Sequence, residues 1–276
     1  MFCSELKVLK LLVVNHYEEE AMLYDTHLHT EFSTDSEMKF KELKDWVQNY
    51  GQGVIVTEHM DLKYPKPNQF VFSPSDYFTK FGPYRSKQIL LGIEIGLRLD
   101  CLEEFRQMIK DYPFDFVLGS IHVVDQKDLY YNPFYEGRSK KEAYERYFQA
   151  MWECLSAFDC IDSLGHIDYI ARYAPYSDPE IHYSEFPELI DEVLRLVAKK
   201  DIALEINTRR FTEQETVQQL MPIYQRFREV GGRYVTLGSD AHRISEVGRA
   251  LEEADALAKA CDLTVVHFVN RQRIEA

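Results

Sequence analysis

Several things are scarce in this chain, and each scarcity removes a class of protein. Its five cysteines (Cys3, Cys101, Cys154, Cys160 and Cys261) are odd in number, scattered and without a Cys-x-x-Cys pair, so neither a disulfide framework nor a zinc ribbon is expected. Basic charge is short as well: 32 Lys and Arg stand against 46 Asp and Glu, a formal net charge of -14. Lys and Arg drive binding to a phosphate backbone, so no nucleic-acid partner is expected. A small phosphorylated molecule is still compatible, because local charge in a cleft can oppose that of the whole surface. The apolar part of the N-terminal "MFCSELKVLKLLVV" is short and broken by Lys7 and Lys10, which fits neither a membrane span nor a signal peptide. The expectations are no membrane partner and a cytoplasmic location. No Gly/Ser-rich or Pro-rich linker, low-complexity tract or long repeat divides the 276 residues. One large domain over 22–276 is therefore expected, preceded by a dispensable N-terminal extension over 1–21.

What is present is alternation. Seven short apolar segments read as strands, at 22–28, 53–59, 88–96, 114–122, 161–166, 202–208 and 234–240. Between most of them lie amphipathic helical patterns such as "KFKELKDWVQNYG" and "FPELIDEVLRLVAKK". Strand-helix alternation of this kind predicts a parallel α/β sheet. The longest connection, roughly 60–87, holds four prolines and several aromatics (Tyr64, Phe70, Phe72, Tyr77 and Phe78) and reads as a functional loop.

The strand ends carry the chemistry. "LYDTHLHTEFSTDSEM" sets His27 and His29 one residue apart, so an extended backbone turns both imidazoles to one face. The later segments end in His59, Glu94, His122, His166, Glu205 with Asn207, and Asp240 with His242. In a parallel barrel all strand C-termini open on one face, and these groups would converge there; an open sheet would line them along a crevice. Taken singly, His122 or His166 reads as a half-buried histidine with an ordinary partner, and Glu94 as a buried acid in a structural pair. Taken together they read as ligands, since a carboxylate among Ile and Leu is costly unless paired or bound to metal. His16, His182 and His267 fall away from the strand ends and read as structural.

The stretches "DTHLHTEFSTDS", "VTEH", "GIEIG", "GSIH", "GHID", "LEINT" and "GSDAH" together resemble the polymerase and histidinol phosphatase (PHP) superfamily, within it the histidinol-phosphate phosphatases. The resemblance runs from Asp25 to His242. It implies a distorted seven-stranded (β/α) TIM-like barrel with three divalent metal ions at the C-terminal face. His27, His29, Glu94 and Asp240 would hold the first ion, Glu94, His122 and His166 the second, and Asp35, His59 and His242 the third. Asp35 stands where some relatives use histidine. Ligation by nitrogen and carboxylate suits zinc, manganese or iron and does not choose among them.

Three such ions against Glu94, Asp35, Asp240 and one bridging hydroxide leave about +2, which attracts a phosphate dianion in an acidic protein. A hydroxide held between ions could attack phosphorus without any serine or cysteine nucleophile. The resemblance implies hydrolysis of L-histidinol phosphate in histidine biosynthesis, with Glu94, Asp240 and His242 as catalytic groups. His242, Asp240 and a metal-held water are the candidates for protonating the leaving alkoxide. Arg172 and Arg209 would contact the phosphate, with Arg210 as a competitor for Arg209. Glu58 and Asn207 are weaker candidates for supporting contacts. A nucleotide, a nucleic-acid 3' end or a phosphotyrosine peptide is an alternative substrate, and an amidohydrolase or a non-enzymatic binding barrel an alternative class. No sequence feature sets the oligomeric state.

Overall fold

A computed structural model of the protein describes residues 22–211 and 214–275. The extension expected over residues 1–21, His16 included, lies outside the described residues. Seven parallel strands follow one another in chain order: β1 (Tyr24–Leu28), β2 (Gly53–Met60), β3 (Ile89–Gly96), β4 (Val117–Ser120), then, past a small antiparallel hairpin of β5 (Val123–Val124) and β6 (Lys127–Asp128), β7 (Ser163–Leu164), β8 (Ala203–Asn207) and β9 (Tyr234–Gly238). Helices α1 (Phe40–Tyr50), α2 (Pro74–Phe81), α3 (Leu102–Asp111), α4 (Lys140–Ala157), α5 (Pro187–Lys199), α6 (Gln214–Glu229) and α7 (Leu251–Ala260) fill the connections.

The two ends of the row meet. The Thr26 hydroxyl donates to the Leu237 carbonyl (2.8 Å), the Asp240 N–H to the His27 carbonyl (2.7 Å) and the His29 N–H to the Ala241 carbonyl (2.9 Å). Buried Asp25 reinforces the seam, accepting from the Ser239 N–H (2.9 Å), the Ser239 hydroxyl (2.5 Å) and the Gly248 N–H (2.9 Å). The expected seven-stranded (β/α) barrel is the observed architecture.

Alternation sorts its side chains. In β3, Leu91, Ile93 and Ile95 pack outward under the helices, while Leu90, Gly92, Glu94 and Gly96 point into the barrel. Ile55, Leu118 and Ala203 sit beside Leu90 in the same inner cluster, which places His59, His122 and Asn207, four residues further along their chains, at the opposite end. β1 breaks the rule: its register with β2 shifts between Asp25 and Leu28. The shift turns both Tyr24 and His27 inward, as a bulge does.

Two differences from expectation have local causes. β4 and β7 are shorter than the apolar runs because carboxylates replace ladder bonds at their lower ends: Asp115 accepts from the Leu91 N–H (2.9 Å) and Asp162 from the Val117 N–H (2.8 Å). The C-terminal segment, where no strand was expected, forms β10 (Thr264–Val269), parallel to β9 at its start, followed by β11 (Gln272–Glu275), antiparallel to β10. His267 lies on β10, buried and stacked on Tyr24 with ring centroids 3.9 Å apart. Its structural reading stands, on a strand of its own. In the long 60–87 connection, Tyr77 is buried on α2 as part of the core, and only Tyr64 and Phe70 of the five aromatics line the large cavity at the barrel mouth.

Candidate metal centre

At the C-terminal end of the barrel the inward positions converge on Glu94. Its partner across the β2–β3 ladder is His59, whose Nδ1 lies 2.7 Å from Glu94 Oε2. Glu94 Oε1 lies 3.0 Å from His166 Nε2, 3.3 Å from His122 Nε2 and 3.4 Å from His27 Nε2. Asp240 Oδ1 stands 3.7 Å from His27 Nε2 and 3.5 Å from His29 Nε2. At the outer edge, Asp35 Oδ2 is 3.2 Å from His242 Nε2 and 3.6 Å from His59 Nε2. All nine expected ligands thus come together, drawn from β1, β2, β3, the loops after β1, β4, β7 and β9, and the turn holding Asp35.

The donor set suits cations. His27 Nε2 and His29 Nε2 face each other at 3.0 Å, and His122 Nε2 and His166 Nε2 at 3.4 Å. Glu94 Oε2, His59 Nδ1 and His166 Nδ1 are buried without an aligned hydrogen bond, the 2.7 Å approach of His59 Nδ1 to Glu94 Oε2 included. Groups of three ligand atoms close enough for one ion include His27, His29 and Asp240; His27, Glu94 and His166; and His29, His59 and His242. Burial alone would raise the Glu94 carboxyl, but the charges of His27, His122 and His59 hold it well below the usual carboxylate range. Burial likewise opposes ionisation of Asp240, and His27, Arg172 and Arg209 overcome it. These carboxylates stay ionised because positive charge surrounds them, the condition a divalent ion meets most directly.

A second ring of groups orients the first, as is general for metal-binding histidines. Glu205 lies 2.6 Å from His27 Nδ1 and also accepts the His166 N–H (2.6 Å). A Cβ at Gly238 would collide with the Glu205 carboxylate and with His27, so that position must be glycine. Asp61 lies 2.9 Å from His122 Nδ1, and burial notwithstanding, Asp61 and Glu94 raise that imidazole to about 10. The Ser120 hydroxyl donates to Glu94 Oε1 (2.7 Å). Glu58 points away from the cavity and accepts from the Ser33 hydroxyl (2.6 Å) and the Thr30 N–H (3.0 Å), fixing the loop after His29. Asp61 escaped the sequence reading; its one signal was its place two residues beyond His59.

Above the cluster is a cavity of about 400 Å³. Asp35, His59, His122, His242 and Arg209 line it, whereas His27, His29, Glu94, His166, Asp240 and Arg172 lie beneath. Arg209 Nη1 donates to the Asp240 carbonyl (2.7 Å) and lies 2.8 Å from His242 Nδ1. Arg210 turns the other way, donating to Asp168 (3.1 Å) and pairing with Glu180. Arg172 is buried, donating to Asp240 Oδ2 (2.6 Å) and Asn207 Oδ1 (2.8 Å), and its Nε–H has no acceptor. Asp240 sits at φ +54, the left-handed region that Asp tolerates, and this bend follows the seam bond to His27.

A parallel barrel with histidines and carboxylates massed at its C-terminal mouth defines the class: a divalent-metal barrel with a pocket for a small molecule. The chain belongs to the PHP domain family, whose profile matches residues 25–209. It is 46% identical to a probable histidinol-phosphatase of Clostridium acetobutylicum over 250 residues, covering 91% of this chain and 98% of that one. It is 34% identical to the histidinol-phosphatase of Lactococcus lactis, over 85% and 90% of the two chains. The fold superposes on a crystal structure of histidinol phosphate phosphatase from Lactococcus lactis, complexed with zinc, L-histidinol and phosphate, with a TM-score of 0.86 at 32% identity. That match covers 91% of this chain and 98% of the other.

Proposed function

We propose that this protein is a metal-dependent phosphatase that hydrolyses L-histidinol phosphate to L-histidinol and phosphate, a step of histidine biosynthesis. The observation that carries the reading is the gathering of eight other expected ligands around Glu94, at the floor of a cavity whose wall includes Arg209. His27, His29, Glu94 and Asp240 would hold one divalent ion, Glu94, His122 and His166 a second, and Asp35, His59 and His242 a third, with zinc, manganese and iron all compatible. Bound there, such ions make water a nucleophile near neutral pH and neutralise charge on the phosphoryl oxygens.

The protein's own groups do the rest. Arg209 offers guanidinium donors to the phosphate from the cavity wall. Arg172, beneath the cavity, holds Asp240 in place, and a contact to the phosphate would use its one unpaired N–H. Protonation of the leaving alkoxide falls to His242, Asp240 or a water held by the ions. Glu205 and Asp61 keep the His27 and His122 rings from rotating.

No helix of the described residues is long and apolar enough to cross a membrane. A cytoplasmic location, one domain over 22–276 and the lack of a nucleic-acid partner belong to the same proposal, the last supported by the net charge of -14.

The test is phosphate release from L-histidinol phosphate by manganese-reconstituted protein, with a nucleotide and phosphotyrosine for comparison and His27→Ala as control. Preference for L-histidinol phosphate that vanishes in the variant is the expected result. Faster turnover of either comparison substrate would overturn the substrate, and no turnover by fully metallated protein would overturn the activity.

A further inference from the structure

Five carboxylates line the cavity: Asp35, Glu37, Asp61, Asp128 and Glu246. Three of them pair with an ionisable nitrogen: Asp35 lies against His59 and His242, Asp61 against His122, and Glu37 accepts two bonds from Arg243. Glu246 accepts from the His242 backbone N–H (3.0 Å). Asp128 also lacks a cationic partner, and it is the one of these two held by tyrosines. It accepts from the Tyr64 hydroxyl and from the Tyr130 backbone N–H (2.8 Å), both neutral donors. The nearby arginines Arg138 and Arg146 are spent on Asp125, and Lys66 lies over the Tyr131 ring. Among the described residues no Lys, Arg or His pairs with Asp128.

The surroundings are aromatic. Tyr130 packs against Tyr131 and Tyr173 with centroids 4.9 and 4.8 Å apart, Tyr173 against Tyr169 at 5.3 Å, and Tyr169 against His122 at 4.9 Å. Asp128 itself faces Val123 across the hairpin, one residue beyond His122. A carboxylate held by neutral donors among tyrosine faces is a setting for an organic cation, attracted by charge and ring quadrupole alike.

We propose that Asp128 and the surrounding tyrosines form a cation subsite that takes the ammonium group of a phosphorylated amino alcohol and so sets the substrate class. The inference rests on the phosphatase reading. A substrate carrying a phosphate dianion and an ammonium satisfies the metal centre and Asp128 together. A phosphoester without the ammonium leaves Asp128 unpaired and meets its negative charge, which discriminates against it.

Asp128→Asn keeps the shape and the Tyr130 bond while removing the charge. It is assayed as metal-loaded protein with L-histidinol phosphate and with the des-amino analogue, imidazolylpropyl phosphate. The expected result is a KM for L-histidinol phosphate raised about 10- to 100-fold with kcat changed less than about twofold, while the analogue's KM does not rise. Asp128→Glu, which retains the charge, should recover part of the loss. Equal weakening for both substrates, or no change for either, would overturn the subsite. Calorimetric binding of L-histidinol separates this from the activity itself: weaker binding in Asp128→Asn supports the subsite whether or not the wild type turns over phosphate, and equal binding overturns it.

Discussion

The two ends of the barrel interior are made by the same strands and share almost no chemistry. At the lower end Tyr24, Ile55, Leu90, Phe116 and Phe268 form an apolar plug; two inward positions higher, β2 and β3 present His59 and Glu94. The plug needs no partner to be stable, because burying each large apolar side chain contributes about 1.5–3 kcal/mol. The mouth is the reverse, a set of buried charges that are costly until cations and hydrogen bonds satisfy them. One sheet thus keeps stability at one end and chemistry at the other, and substitutions at the two ends should fail in different ways.

The sharpest separation should come from Glu94. Glu94→Gln removes the oxygen charge that five histidines share, so turnover should fall by about 10³-fold or more, with metal lost in elemental analysis. A variant that keeps both activity and metal would remove Glu94 from the centre. At the opposite end, Phe116→Ala should cost about 3–5 kcal/mol in urea unfolding while kcat of the folded fraction stays near that of the parent. If Phe116→Ala lost activity at undiminished stability, the division between the two ends would collapse.

Smaller effects sharpen the comparison. Glu205→Gln leaves every expected ligand in place but loosens His27, so competition with a chelator should show metal held about 10- to 100-fold more weakly. Unchanged metal affinity would make Glu205 a seam residue only.

Two buried histidines complete the contrast. Burial opposes protonation of His27, yet Glu205 and Glu94 raise it well above the usual histidine value. His267, with no carboxylate beside it, is pushed by burial down to about 4. As pH falls below about 6.5 the unfolded chain takes up a proton that folded His267 refuses, so its contribution to stability, whole above that pH, declines toward pH 4. His267→Phe should flatten the pH dependence of unfolding across that window by up to about 1.4 kcal/mol per pH unit. Superimposable profiles for parent and variant would show that His267 is not the group responsible.

Much of this was legible in advance for a physical reason. The seven strands and the potential ligand or hydrogen-bonding group at the end of each rest on local periodicity and residue type, and a parallel barrel brings all those ends to one mouth. The resemblance carried by the seven short motifs supplied the expected grouping of ligands, which spacing alone left open. Missed features depended on distant partners. β10 and β11 were passed over because "TVVHFVNRQRIE" is short and mixed, and it becomes a hairpin only where β9 offers an edge. Asp61 looked like a loop acid until Gly96 left room for it to turn toward His122.

By itself, then, the sequence determined the order of strands and helices, the residue types at each strand end and the acidic balance, since each is set within a few residues of chain. Tertiary structure alone decided which groups touch. The register shift in β1 turns His27 inward, the fold sends Arg209 to the cavity and Arg210 to Asp168 and Glu180, and Asp128 is left among tyrosines without a cation. These choices join segments far apart in the chain, and no local pattern of residues encodes which of two neighbours meets a partner a hundred positions away.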